Sequence, residues 1–442
     1  MMVFNNTGFL FELKNLFSVF KFGCGVRIKT NDTQVMSIKL NRYFINTCYR
    51  KFLFLYNDMR ETQKKNVFGL KIVHYLIVII IVLSATELLS FGLLNFLQYK
   101  YGILAYDDQR IKQTRLKSFS HYDEKIGWVP RNVDKYGART DTSNFSNSPP
   151  CIEMYGDSFT ESAEVEKEFA WPNLISELLG CRVLNFGVGG YGTDQALLRY
   201  LGHRKFANIV VMNHLSENII RNVNQLRNLI YPNHQLSIKP RYIVKNKKLV
   251  YIPMPIIDVN NLAGIKNYLF HDYFIPDGDS GIVKKVSFPF TQMLFNFTVS
   301  HFHFNASLRG QPRHKSFYNY GHSSKALITT KKIMMTFYEE AKARGQRPLL
   351  TIIPTCRDFE YYESRLKLPY QNLIDTLNEQ GIPVFDFALP MLRYEVDYHS
   401  LYRRCSTHPN EKGYRLMAQV FMTYLKKVSI KDTDKPQMTE EK

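Results

Sequence analysis

The sequence predicts an α/β fold, a mostly parallel sheet with helices on both faces, standing behind one membrane-spanning helix. Three observations carry this. Residues 72–97 form a long apolar run, short strand-like segments alternate with helical patterns from residue 150 onward, and glycine-rich turns close the first two of those segments. Strands alternating with helices give a parallel sheet covered on both sides. Ligands on such sheets sit at the carboxyl ends of the strands, where these turns fall.

Length and composition set the frame. At about 100–200 residues per domain, 442 residues allow two or three domains. The 45% hydrophobic and 22% charged content is that of a globular chain, excluding wholesale disorder. Six Cys are too few for a disulfide scaffold. The formal charge of +19 calls for an anionic partner or surface. No Cys/His finger spacing, RNA-binding aromatic signature or long basic helix accompanies it, so no nucleic acid is expected.

Residues 1–66 carry 11 Lys/Arg against 4 Asp/Glu and read as a basic cytoplasmic segment by the positive-inside rule. Met59 opens a compact basic flank, MRETQKKN, and is a second candidate start. Residues 67–98 are assigned to the membrane helix. Its run IVHYLIVIIIVLSATELLSFGLLNFL would extend about 39 Å, enough to span a bilayer. Glu87 is its one formal charge. No small-residue cleavage site follows closely, so the helix is an uncleaved single-pass anchor, with the rest of the chain on the periplasmic or extracellular side.

Residues 99–149 are a turn-rich linker or strap. Residues 150–225 hold the first half of the sheet domain: strands at 151–155, 182–186 and 208–212, helices at 164–179 and from 193 to about 201. Residues 226–330 form an aromatic, basic insertion with 13 Lys/Arg against 4 Asp/Glu and a hairpin at 241–252 turning through Lys245-Asn246-Lys247. It is either packed beside the carboxyl edge of the sheet or a solvated appendage. Residues 331–428 complete the domain with helices at 331–344 and 370–380, strands at 347–353 and 382–386, and a helix from Pro409 to about 426. Residues 429–442 read as a disordered tail.

The chemistry concentrates in three blocks. Tyr155-Gly156-Asp157-Ser158-Phe159 sets a serine on the turn after the first strand, where the next helix offers oriented N–H groups. The loop Asn185-Phe186-Gly187-Val188-Gly189-Gly190-Tyr191-Gly192 lets backbone approach that serine, because glycine has no side chain to obstruct it. Late in the chain, Thr407-His408-Pro409-Asn410-Glu411-Lys412-Gly413 puts a histidine just before a helix. A serine, an N–H donor loop and a histidine are the parts of a nucleophile, an oxyanion site and a general base.

The order GDS, NxGxxG, HPNxxG over residues 150–225 and 330–425 resembles the SGNH (GDSL) hydrolase superfamily. The resemblance implies a flavodoxin-like α/β/α sandwich that cleaves or transfers acyl esters without a cofactor. It implies Ser158 as nucleophile with its own N–H in the oxyanion hole, Gly190 as a second donor and His408 as base. Two departures stand out. Strict spacing puts Glu217 where the family has its donor Asn, and an ionised carboxylate cannot donate. Asn218, one step along, is the expected donor; otherwise it caps the next helix. The family's Asp three residues before the histidine is Cys405 here. Asp397, a backbone carbonyl or nothing then orients His408.

Cys24 and Cys48 fall on the cytoplasmic side, whereas four cysteines fall outside, where disulfides persist. Cys151 and Cys181 begin adjacent strands and Cys356 and Cys405 share the carboxyl edge, so the expected bridges are Cys151–Cys181 and Cys356–Cys405. His399, His301 and His303 lack partners at ligand spacing, and no metal is expected. The loop at 187–192 resembles a dinucleotide fingerprint, but it follows a second strand and no acidic residue closes the next one. The expectation is an anchored serine esterase or O-acyltransferase acting on an acyl ester. Within the superfamily such members handle O-acetyl groups of surface glycans, and the basic insertion suits an anionic glycan or lipid headgroup. The alternative is a catalytically impaired binding or assembly protein with the same fold.

Overall fold

The computed structural model describes residues 67–101, 122–130, 132–227, 230, 237–254, 269–274, 286–300, 306 and 309–433. The readings made above for residues 1–66, with Cys24, Cys48 and Met59, for His301 and His303, and for 434–442 lie outside the described residues. The chain divides into two compact units, one made of the apolar helix with residues 288–292 and one of the remaining folded chain.

In the first unit, α1 (Val67–Tyr101) contains a 24-residue stretch, Val73–Phe96, of mean hydropathy 2.4. Tyr75, Leu76 and the run from Ile79 to Leu83 are exposed, the reverse of a helix in a water-soluble core. It is long and apolar enough to cross a membrane.

In the second unit, the strap forms a small antiparallel pair, β1 (Tyr122–Asp123) and β2 (Gly127–Trp128). The domain then runs β3 (Pro150–Gly156), α2 (Ser158–Glu161), α3 (Trp171–Leu179), β4 (Arg182–Gly187), α4 (Thr193–Gly202), β5 (Ile209–Leu215) and α5 (Asn218–Arg221). The insertion contributes β6 (Arg241–Lys245), β7 (Lys248–Ile252) and α6 (Phe290–Ser300), whose opening residues 290–292 are counted with the first unit. There follow α7 (Ala326–Ala343), β8 (Arg347–Ile353), α8 (Cys356–Arg365), α9 (Gln371–Asn378), β9 (Val384–Asp386), α10 (Ala388–Tyr394) and α11 (Glu411–Thr433).

Five parallel strands form one sheet in the order β4-β3-β5-β8-β9. This is the flavodoxin-like doubly wound order, with its switch point between β3 and β5. Strands β4 and β5 are buried almost end to end, as parallel strands under two helical layers must be. Trp171 of α3 meets Phe387 and Phe421 edge-on, each at 5.7 Å, in one layer. Tyr200 of α4 packs on Phe337 of α7 at 4.7 Å in the other.

Several boundaries differ from the sequence reading. The helix expected over 164–179 begins at Trp171, with Pro172 in its first turn, where a missing N–H costs nothing. Residues 164–170 are instead a loop with a 3-10 turn at Lys167–Phe169. The last helix runs to Thr433, so the tail reading from residue 429 is corrected: no Pro or Gly interrupts the helical pattern before Pro436.

The insertion is anchored to the domain rather than appended to it. Its hairpin turns with positive φ at Asn246 and Lys247, the primed geometry that matches strand twist. The buried Asp272 carboxylate accepts from the Gln225 and Leu226 N–H groups, each at 2.8 Å, and Lys239 pairs with Asp194 in full burial.

The structure joins Cys151 to Cys181 and Cys356 to Cys405, with Cα separations of 6.0 and 5.0 Å. Replacing both Cys356 and Cys405 by Ala should lower the stability of the oxidised protein by about 2–5 kcal/mol in urea titrations. Equal stability of wild type and variant would mean that the bridge contributes nothing.

Candidate active site

The site lies where three adjacent strands end together. Gly156 of β3 stands level with Gly187 of β4, and Tyr155 pairs with Met212 of β5. Ser158, Gly190 and Asn218 therefore leave the sheet from neighbouring carboxyl ends. A side chain at Gly156 would strike Thr160, and one at Gly187 would strike the backbone of Glu161. These two glycines let the serine turn lie flat on the next loop.

Ser158 opens α2, whose N-cap is Asp157; the Asp157 carboxylate accepts from Phe159 N at 3.0 Å. Its other oxygen accepts from Arg221 Nη1 at 2.9 Å. Burial pushes the Asp157 carboxyl upward, opposed by the Arg221 guanidinium and the Phe159 N–H. Ser158 Oγ lies 2.8 Å from His408 Nε2, and the Phe159 ring packs 5.0 Å from the imidazole. Burial lowers the His408 pKa from 6.5, while Glu164 and Asp157 act the other way.

His408 Nδ1 faces Glu164 Oε1 at 3.6 Å. Glu164 comes from the loop between α2 and α3 that the sequence reading had placed in a helix. Arg403 fastens that loop to the histidine: its Nη2 donates to the Glu164 carbonyl, and its N–H donates to the His408 carbonyl at 3.3 Å. Asp397, the expected orienting acid, is exposed; its backbone N–H donates to Glu395 and its carbonyl accepts from Ser400, and no contact of its carboxylate with His408 is seen among the described residues. The reading is corrected: the acid facing the imidazole is on the serine's own loop. The signal available in sequence was only a Glu six positions after Ser158.

Asn218 is fully buried. Its Oδ1 accepts from Arg221 Nη1 at 2.8 Å, which turns the amide so that Nδ2 has no partner among the described residues. The Ser158 and Gly190 N–H groups likewise make no hydrogen bond among the described residues. Gly190 has φ +81°, and a Cβ there would collide with the Arg227 guanidinium, whose Nη1 donates to the Gly190 carbonyl. Glu217 is bound by Arg313 at 2.8 Å and Arg221 at 3.0 Å. Burial alone would raise its pKa, but these two guanidiniums bring it down to about 2. It is an ionised acceptor, and the amide beside it is the free donor.

Arg221, which sequence reasoning passed over, is the hub. Besides Asp157, Asn218 and Glu217, it donates to the Tyr191 carbonyl at 3.0 Å, on the residue after Gly190. The insertion supplies Arg227 and Arg313, so it walls this edge. The strap reaches the same loop, Trp128 Nε1 donating to the Gly189 carbonyl at 2.9 Å.

His399 is not alone in space: it groups with Cys356, Cys405 and Glu360, ligand atoms within 4.8 Å of one another. Both sulfurs are consumed by the disulfide, leaving one imidazole and one carboxylate.

No family model and no curated protein matches the sequence. The chain is similar to solved structures of the G-D-S-L group. A member of the lipolytic protein G-D-S-L family from Veillonella parvula is 12% identical, with 62% of this chain and 97% of that one covered at a TM-score of 0.31. A GDSL-like lipase from Bacteroides thetaiotaomicron is also 12% identical, with 65% and 92% covered at a TM-score of 0.31.

Removing the hub should be costly. Arg221→Met leaves the buried Asp157 carboxylate without its guanidinium and Glu217 with Arg313 alone, and a loss of about 3–5 kcal/mol is expected in denaturant titrations. A change below about 1 kcal/mol would mean that the network does not hold the loops.

Proposed function

We propose that this chain is a membrane-anchored serine esterase or O-acyltransferase working through a Ser158–His408 acyl-enzyme. The observation that carries the reading is the 2.8 Å contact of Ser158 Oγ with His408 Nε2, with three donors at the same strand ends that have no partner among the described residues. Neutral His408 takes the hydroxyl proton as Oγ attacks the acyl carbonyl. The carbonyl oxygen gains negative charge, and Ser158 N, Gly190 N and Asn218 Nδ2 are the donors for it. His408 then returns the proton to the leaving oxygen. Water or a sugar hydroxyl attacks the acyl-enzyme next, which is the whole difference between hydrolysis and transfer.

Glu164 acts on this cycle through the imidazole. A carboxylate at Nδ1 favours the tautomer with Nε2 free and stabilises the imidazolium that forms. This supports activity over the impaired-relative reading, which rested on the missing Asp at position 405 and on the displaced donor Asn. The substrate class proposed is an acyl ester outside the membrane, O-acetyl groups of an anionic surface glycan before lipid esters. The basic insertion, whose Arg227 and Arg313 stand at the site, supports an anionic substrate.

A fluorophosphonate probe should label Ser158, and both Ser158→Ala and His408→Ala should abolish labelling and p-nitrophenyl ester turnover. Folded protein that neither labels nor turns over any ester would sink the reading. Asn218→Ala should cost about 10²–10³ in kcat with little change in KM.

The pH profile separates Glu164 from a structural bystander. Activity needs neutral His408, so kcat/KM should rise with pH through an apparent pKa below the ordinary 6.5. Glu164→Gln removes a charge that favours the imidazolium, so the acid limb should move to still lower pH. Turnover should fall at least about 10-fold but less than the ~10⁴-fold known for losing a buried orienting Asp, because Glu164 is half-exposed. An unchanged profile would remove Glu164 from the mechanism.

A further inference from the structure

Glu87 is the one formal charge within the 24-residue apolar stretch of α1. It lies nine residues before Phe96, roughly 13 Å along the axis from that end, and so well inside a hydrocarbon layer of about 30 Å. An ionisable group at such depth needs a partner. The partner is the insertion. Glu87 Oε2 accepts from Phe290 N at 2.6 Å and from Thr291 N at 3.3 Å, the free amides that open α6. Ser90 Oγ meets Thr291 Oγ1 at 3.1 Å, and the Phe91 and Phe290 rings lie 4.8 Å apart.

Glu87, Ser90, Phe91 and Leu94 fall on one face of α1 by their i, i+3, i+4, i+7 spacing. Ser90 and Leu94 are buried, whereas Leu83 and Leu88 are exposed. The insertion sequence matches this location. Residues 286–308 contain no Asp, Glu, Lys or Arg and include six Phe, bounded by Lys284-Lys285 and Arg309. Phe288 and Phe295 are 73% and 66% exposed, a wasteful arrangement in water but a natural one in lipid.

We propose that the charge-free segment 286–300 enters the lipid phase beside α1, pinned there by Glu87. The pairing is reciprocal. In hydrocarbon the first amides of a helix have no water to bind, and Glu87 takes two of them while they neutralise its isolation. This rests on α1 spanning the bilayer, so the test carries a control for that reading. The occupant of the exposed Phe288 and Phe295 faces is the acyl region of the bilayer.

The experiment uses the full chain in phosphatidylcholine/phosphatidylglycerol vesicles made with or without dibrominated acyl chains. Tryptophan is placed by Leu83→Trp in α1, and by Phe288→Trp or Phe295→Trp in the insertion, above the constant background of Trp128 and Trp171. Bromolipid should quench all three, the insertion probes at least half as strongly as the α1 probe, with acrylamide quenching reduced at least twofold against the free indole. Quenching at position 83 with none at 288 and 295 would overturn the proposal, whether those faces meet water or a protein partner. No quenching at position 83 would overturn the anchor reading and the proposal with it. Adding Glu87→Ala should lower bromolipid quenching at 288 at least twofold, and Glu87→Gln, which retains an acceptor, should not. Equal quenching in both would remove Glu87 as the pin.

Discussion

The guanidinium of Arg221 is the interaction on which the site depends. Ser158, Gly190 and Asn218 leave three different strands, and parallel pairing alone fixes only where each strand ends. One planar fork then donates to Asp157 beside the serine, to the Tyr191 carbonyl beside Gly190, to Asn218 Oδ1 and to Glu217. Lysine, a single rotatable point charge, could not hold those directions at once. The arrangement also decides which groups stay free. By binding the oxygen of Asn218, Arg221 leaves its NH₂ unclaimed, and by binding Glu217 it keeps a carboxylate from turning toward the serine.

The histidine is held by a division of labour. Its loop carries Cys405 where a carboxylate was expected, and that sulfur is tied to Cys356 just after β8. The bridge restrains the loop's position but offers no charge. The charge comes from Glu164, on the loop that follows the serine, clipped to the His408 backbone through Arg403. Orientation and restraint, which one aspartate can supply together, are here separated between a carboxylate and a covalent link.

What the sequence disclosed follows from how local each signal is. Strands β3, β4, β5 and β8 were readable because buried parallel strands are short apolar runs; glycine turns close β3 and β4 and carry the serine and glycine blocks, and the histidine block stands just before the last helix. The start of α3 was misjudged because residues 164–170 carry apolar positions at helical spacing, and only Pro172 marks the true first turn. Glu164 and Arg221 were not legible for a deeper reason. Each acts across a distance set by packing, so neither has a neighbour in sequence that betrays its role. Asn218 lies between the two cases: its residue type suggested a donor, but which of its two amide atoms is free depends on Arg221.

Glu87 obeys the same rule. A charge inside an apolar run reads as a defect when only its own helix is considered, just as a Glu in place of the donor Asn reads as damage when only its own block is considered. In both places the acid has a fixed partner supplied by residues 226–330: the opening amides of α6 for Glu87, and Arg313 for Glu217. The insertion therefore cannot be treated as an ornament on a finished domain. Without it, Glu87 would lose the two amides it accepts from and Glu217 would lose a guanidinium at the edge of the site. A chain that keeps these two acids must keep the segment that satisfies them, so the same stretch of sequence serves both the apolar helix and the site.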